Sequence, residues 1–206
     1  MNNTHIECLI DISGSMQGSI ADVVYGYNKF LDEQRNNMID DNTTWSLSFF
    51  NSMYKNMIYC QNIDSVPYLK VSEIKTESTT ALLDAIGKAI FNLSNNIIPH
   101  TQYIIFIMTD GYENSSTEYN ITIIKDIITE KQNCGWKFIF LGANIDAIKV
   151  ATNLGIHTEG SLTYTQNKNG IENALSSVSA SITRVRNGDS AHIVFNDLDR
   201  MASLSL

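Results

Sequence analysis

The 206-residue chain is 43% hydrophobic and 17% charged, the composition of one ordinary globular domain. A formal net charge of -8 with no basic stripe argues against nucleic-acid binding, whose affinity rests on clustered lysine and arginine. Neither a secretory leader nor an apolar run near the roughly 20 residues of a membrane span is legible, so a cytoplasmic setting away from membranes is expected.

In chain order, the run at 6–10 reads as a buried strand that ends at Asp11. Met16, Ile20, Val23, Tyr27, Phe30 and Gln34 follow at helical spacing. WSLSFF and NMIYC, parted by the polar stretch 51–56, read as a hairpin whose second strand lies antiparallel at the sheet edge. Leu82, Ile86, Ala89, Ile90 and Leu93 mark a second helix, and the apolar strand 103–108 leads to Asp110. A third helix carries Ile121, Ile124, Ile127 and Ile128 and precedes a strand at 137–141. A short fourth helix with Ile148, Ala151 and Leu154 closes at Gly155, a residue suited to a left-handed cap, and a fifth carries Ile171, Leu175, Val178 and Ile182.

Such alternation predicts an α/β fold: a doubly wound, mostly parallel sheet with one antiparallel edge strand and helices on both faces. Ligand sites then form beyond the carboxyl ends of the strands. The domain is expected over 1–186, followed by a tail at 187–206. The tail pattern fits a strand at 193–195, a short docked helix, or a segment that folds on a partner. Pro67 and Pro99 fall in loops. Asn144 and Asp146 are expected to cap the fourth helix, and His5, His100, His157 and His192, which form no catalytic spacing, to lie on surface or loops. Cys8, Cys60 and Cys134 form no CxxC pair and read as reduced thiols that fill space, Cys8 in a core strand.

The chemistry gathers at the strand ends. Asp11 and Asp110 would point into one crevice, where two anions repel unless a cation joins them. Ser13 and Ser15 occupy alternate positions of the turn after the first strand, with Gly14 between them to let the backbone turn sharply. Thr80 stands at the entrance to the second helix, where a helix cap is its plain alternative role. An all-oxygen set favours Mg2+, with Mn2+ or Ca2+ as alternatives, over zinc. Asp84 faces away and reads as a structural hydrogen-bond acceptor. Tyr112, Glu113 and Asn114 would border the site as a partner-binding rim.

The segments Asp11-Ile12-Ser13-Gly14-Ser15-Met16, Thr80-Ala81-Leu82-Leu83-Asp84-Ala85 and Thr109-Asp110-Gly111-Tyr112-Glu113-Asn114 resemble, in order and spacing, the metal-ion-dependent adhesion site of von Willebrand factor A domains. The resemblance covers roughly residues 5–185 and is closest to stand-alone intracellular microbial or phage types. It implies metal contact by Ser13, Ser15 and Thr80, mostly water-mediated contact by Asp11 and Asp110, and a ligand carboxylate completing the octahedron. The family usually has glycine one or two residues before the threonine, where this chain has Glu77-Ser78-Thr79, which leaves Thr79 as a substitute for Thr80.

The expected function is non-enzymatic: recruitment of a protein partner's Asp or Glu through Mg2+. An assembly component that self-associates through the metal site or the tail is the alternative. A Mg2+-dependent phosphoryl-transfer enzyme with Asp11 as nucleophile ranks below both, because the three segments contain no lysine or arginine to stabilise phosphoryl charge.

Overall fold

The computed structural model describes residues 3–36 and 42–205. Six strands, β1 (Asn3–Asp11), β2 (Thr43–Phe50), β3 (Tyr54–Asn62), β4 (Thr101–Thr109), β5 (Lys137–Ala143) and β6 (Ser161–Tyr164), form one sheet in the order β3-β2-β1-β4-β5-β6. All neighbours pair in parallel except β2 and β3, the antiparallel hairpin. The helices are α1 (Ile20–Asn36), α2 (Leu82–Ser94), α3 (Ile121–Asn133), α4 (Ala147–Asn153), α5 (Lys168–Arg186) and α6 (Asp197–Ser203). Among the described residues no helix is long and apolar enough to cross a membrane.

Alternation of side chains along each strand splits the interior into two layers. Ile6, Cys8, Ile10, Ile104, Phe106 and Met108 face α1 and α5. Leu9, Tyr103, Ile105, Ile107, Phe138 and Phe140 face α2, α3 and α4. Because both faces are covered, the central strands carry apolar residues in nearly unbroken runs.

The register does the positioning. Ile10 pairs with Met108, so β1 and β4 end side by side, and the chain leaves them toward opposite faces of the sheet. In open sheets of this kind, that switch point is where ligand sites form.

Several expectations change against the structure. Met16 lies in a 3-10 turn (Gly14–Gly18) ahead of α1, not in the helix itself. Four-residue β6 went unread, since SLTY is too short to show a period, yet it is almost wholly buried. His5 is a core residue, 1% exposed, with Nδ1 2.8 Å from Thr44 Oγ1. Beside it Glu7, equally buried, accepts a 2.8 Å hydrogen bond from Ser48. Cys8 is buried as expected, but Cys134 is exposed and fills no space in the core. Gly155 takes the left-handed conformation, φ +85°.

The segment after α5 docks on the domain. Ile193 and Phe195 are buried in the α1/α5 layer without forming a strand. Short helix α6 lies along β6: Arg200 donates to the Ser161 and Thr158 carbonyls, and the Ser203 hydroxyl to the Thr163 carbonyl. Those bonds cover an edge that would otherwise offer unpaired carbonyls.

Phe195→Ala should therefore cost about 3–5 kcal/mol, whereas Leu198→Ala, at an exposed position of α6, should stay within about 0.5 kcal/mol. Urea unfolding of the two variants checks this; equal midpoints would contradict the docking.

Candidate metal centre

β1 carries Asp11 to the crevice, and the backbone then folds back on it: the Ser13 amide donates to Asp11 Oδ1 at 2.7 Å. From β4, the buried Thr109 hydroxyl donates to Asp11 Oδ2 at 2.6 Å. Both oxygens of Asp11, which is fully buried, are thus satisfied by neutral donors. Asp110, one residue beyond β4, accepts from the Ser15 hydroxyl at Oδ1 and from the Gln166 side-chain amide at Oδ2, both at 2.6 Å.

The Ser13 and Ser15 hydroxyl oxygens stand 3.2 Å apart. Thr80 comes from a loop pinned on two sides. Gly14 donates its amide to the Ser78 carbonyl at 3.1 Å, Glu77 donates to the Ile12 carbonyl at 3.1 Å, and Ala81 donates to the Asn51 carbonyl at 2.8 Å. Thr80 is 3% exposed, whereas Thr79 faces solvent, so Thr80 is the threonine turned into the crevice. Its side chain engages in no hydrogen bond among the described residues, and its oxygen lies 3.4 Å from the point a Cβ on Gly111 would occupy, with Ser15 Oγ 3.9 Å from the same point. The left-handed residue of the loop is Ser78, φ +71°, two positions before Thr80. Gly14 needs no such conformation, so the turn after β1 does not depend on glycine as expected.

These donors suit a small hard cation. Hydroxyls about 2.9 Å apart form the edge of an octahedron with bonds of 2.0–2.1 Å, close to the Ser13–Ser15 spacing, and Thr80 supplies a third hydroxyl with no competing bond. Among the described residues no group of three or more His, Cys, Asp or Glu gathers to hold a metal, which leaves a hydroxyl-rich set and disfavours soft metals. Burial pushes the Asp11 carboxyl above the ordinary carboxylate range, the Thr109 and Ser13 hydrogen bonds pull it back, and the Asp110 charge pushes it further up. The sign follows. Raised in the fold, this group favours folding while protonated and costs stability as pH rises through its pKa.

The three rim residues divide. Glu113 accepts from the amides of Leu83, Ser115 and Ser116 and from the Ser116 hydroxyl, 2.7–2.9 Å, which spends its carboxylate on the start of α2. Asn114 accepts from the Thr80 amide at 2.8 Å and so orients that loop. Tyr112, 59% exposed, is left facing outward. Beside it a groove of about 260 Å³ has a mainly apolar floor of Leu82, Leu83, Ile121, Val150 and Leu154, with Glu113, Asp146, Lys149 and Asn153 also lining it. Asp84 accepts three backbone amides, from Thr117, Glu118 and Tyr119; burial works to raise its pKa, but those donors and Lys88 outweigh it and the net direction is down.

Thr109 and Gln166 were not assigned roles at the site, and for Asn144 lining the crevice was only the lesser alternative to capping the fourth helix. Thr109 had a local signal, standing directly before Asp110. Gln166 had none, because a loop 56 residues further along supplies it. Asn144 does not cap α4, a role Asp146 fills by accepting from the Lys149 amide; it donates instead to Gln166 Oε1 at 2.5 Å.

No protein-family model matches the chain, and no curated protein matches it in sequence. Solved structures do match in fold. Proximal thread matrix protein 1 from the mussel byssus, in a form with a zinc-occupied metal-ion-dependent adhesion site, aligns over 88% of this chain and 46% of its own, at 16% identity and TM-score 0.64. The pilus adhesin SpaC from Lactobacillus rhamnosus GG, in its open conformation, aligns over 89% of this chain and 30% of its own, at 12% identity and TM-score 0.69. A von Willebrand factor type A structure from Catenulispora acidiphila aligns over 88% and 43%, at 12% identity and TM-score 0.65. The fold is that of von Willebrand factor A domains, and the chain spans less than half the length of these three proteins.

Asp11→Asn should remove stabilisation by Mg2+ while leaving the metal-free protein at least as stable at pH 7, because a costly buried anion is gone. At a hundredfold excess over Kd, Mg2+ should raise the melting temperature of the unsubstituted protein by about 5–10 °C. Thermal unfolding with Mg2+ and with chelator checks both; an equal Mg2+ shift in the two proteins would contradict the assignment.

Proposed function

We propose that the chain is a divalent-metal-dependent protein-binding module, with Ser13, Ser15 and Thr80 holding Mg2+ directly and Asp11 and Asp110 balancing its charge from behind. The observation that carries this reading is the Ser13 and Ser15 hydroxyls 3.2 Å apart, with Thr80 Oγ1 and Ser15 Oγ both within 3.9 Å of one point beside Gly111, next to two carboxylates whose partners are all neutral. When bound, the cation would supply a Lewis-acidic position for an outside carboxylate. A partner's Asp or Glu meets that description.

The chain's own residues supply the rest. Asp11 and Asp110 are each bonded at both oxygens, which favours their acting behind the hydroxyls and leaves room for the incoming oxygen. Tyr112 and the mainly apolar floor of the adjoining groove suit a neighbouring apolar side chain of the same partner, the kind of contact that gives selectivity. The fold is one that the neighbours above use as adhesin and matrix proteins, which supports binding over catalysis. Mn2+ or Ca2+ could replace Mg2+ in such an oxygen set.

A second reading, assembly with copies of itself, rests on a different observation. Leu198, Met201 and Leu204 of α6 and its cap are 76%, 71% and 51% exposed and recur every three residues. A chain that pairs through this stripe would lose mass in solution on Leu198→Glu plus Met201→Glu, regardless of Mg2+.

Capture of a protein partner by the immobilised chain, from the cells that make it, should require Mg2+ and fall at least tenfold with chelator, with Asp11→Ala or with Asp110→Ala. Undiminished capture in all three arms would exclude the metal-dependent reading.

A further inference from the structure

A hydroxyl binds a cation through its lone pairs, so its proton must be drawn elsewhere. At Ser15 the proton goes to Asp110 Oδ1, 2.6 Å away. What aims Asp110 therefore aims Ser15. Asp110 is held at its other oxygen by Gln166, whose side-chain amide donates to Oδ2 at 2.6 Å and also to Ser19 Oγ at 3.1 Å. Gln166 itself is oriented by Asn144, which donates into its carbonyl oxygen at 2.5 Å and so fixes which end of the amide meets the carboxylate. Asn144 adopts φ +57°, a left-handed conformation that asparagine tolerates better than most residues.

The loop that bears Gln166 is anchored on both sides. Thr165 donates its amide to the Ser203 carbonyl at 2.9 Å, and Asn167 caps α5 by accepting from the Gly170 amide at 2.8 Å. A Cβ on Gly170 would lie 2.2 Å from the Thr165 carbonyl oxygen, so only glycine lets α5 begin this close to the loop. Gln166 is thereby presented from a fixed backbone, not from a free loop.

We propose that Gln166 is a positioning residue of the metal centre, acting through the chain Asn144 to Gln166 to Asp110 to Ser15. The inference rests on the metal-binding reading above. It assigns a role to a residue outside all three motif segments. Gln166 is also a neutral donor: it holds Asp110 without cancelling the charge the cation needs, as a lysine or arginine there would. Outer hydrogen-bond partners of metal ligands commonly set affinity by 10–100-fold.

The test is calorimetric titration of the full chain with Mn2+ alone, beside thermal unfolding in chelator. Gln166→Met, similar in length but without a donor, should weaken Mn2+ binding about tenfold; the donor lost to the buried Asp110 carboxylate should also lower the metal-free melting temperature, so the affinity is the deciding readout. Asn144→Gly, which keeps the left-handed backbone and removes the donor to Gln166, should give a smaller loss in the same direction. This exposed position carries the test should Gln166→Met fold poorly. A purely structural role would shift the metal-free melting temperature and leave the affinity alone. Affinities within twofold of the unsubstituted protein in both variants would overturn the proposal while leaving the metal centre standing. Failure of the unsubstituted protein to bind Mn2+ would overturn both.

Discussion

Everything at the open end of this sheet depends on one electrostatic conflict. Two adjacent parallel strands deliver two buried carboxylates, Asp11 and Asp110, to one crevice, and the ion pairs among the described residues all lie elsewhere. Buried anions that meet only neutral donors are expensive. The raised Asp11 pKa is the local expression of that cost. On the proposed reading, the hydroxyls of Ser13, Ser15 and Thr80 would offer a cation ligands without adding to the negative charge. The cation would then offset the two carboxylates, and a partner's carboxylate would add a third anion that is held by its direct bond to the metal.

The scaffold serves this end through register and topology. Ile10 opposite Met108 makes β1 and β4 finish together, and the departure of the chain to opposite faces puts the switch point of the sheet between them. The loop before α2 is stitched to the β1 turn and to the hairpin, so Thr80 does not sit on a free loop. Glu113 and Asn114 look like rim residues by position yet spend their side chains fastening neighbouring loops, the role expected of Asp84, which it also fills. At the far edge of the sheet, α6 and the buried Ile193 and Phe195 close β6, which makes the last residues part of the domain's packing.

What was legible in the sequence was whatever had a local or periodic signature. The long central strands announce themselves because burial on both faces demands unbroken apolar runs, and the three motif segments because each carries its ligands within a few residues. Ser78 shows a finer case: at the place where the domains this sequence resembles usually have glycine, the backbone is left-handed, and serine adopts it. Illegible were contacts made across long separations. Gln166 reaches Asp110 from a polar loop with no pattern, β6 is too short for a period, and His5 and Glu7 are buried because side-chain partners on β2 receive them. The tail could not be assigned because its apolar residues are few, and their burial depends on a surface that only the folded domain provides.

The central claim is geometric: a cation belongs among Ser13, Ser15 and Thr80. Crystals grown with Mn2+ and measured for anomalous scattering would locate it directly. The account predicts one strong peak bonded to those three hydroxyls, with Asp11 and Asp110 behind them. A peak elsewhere on the chain, or none at saturating Mn2+, would contradict it.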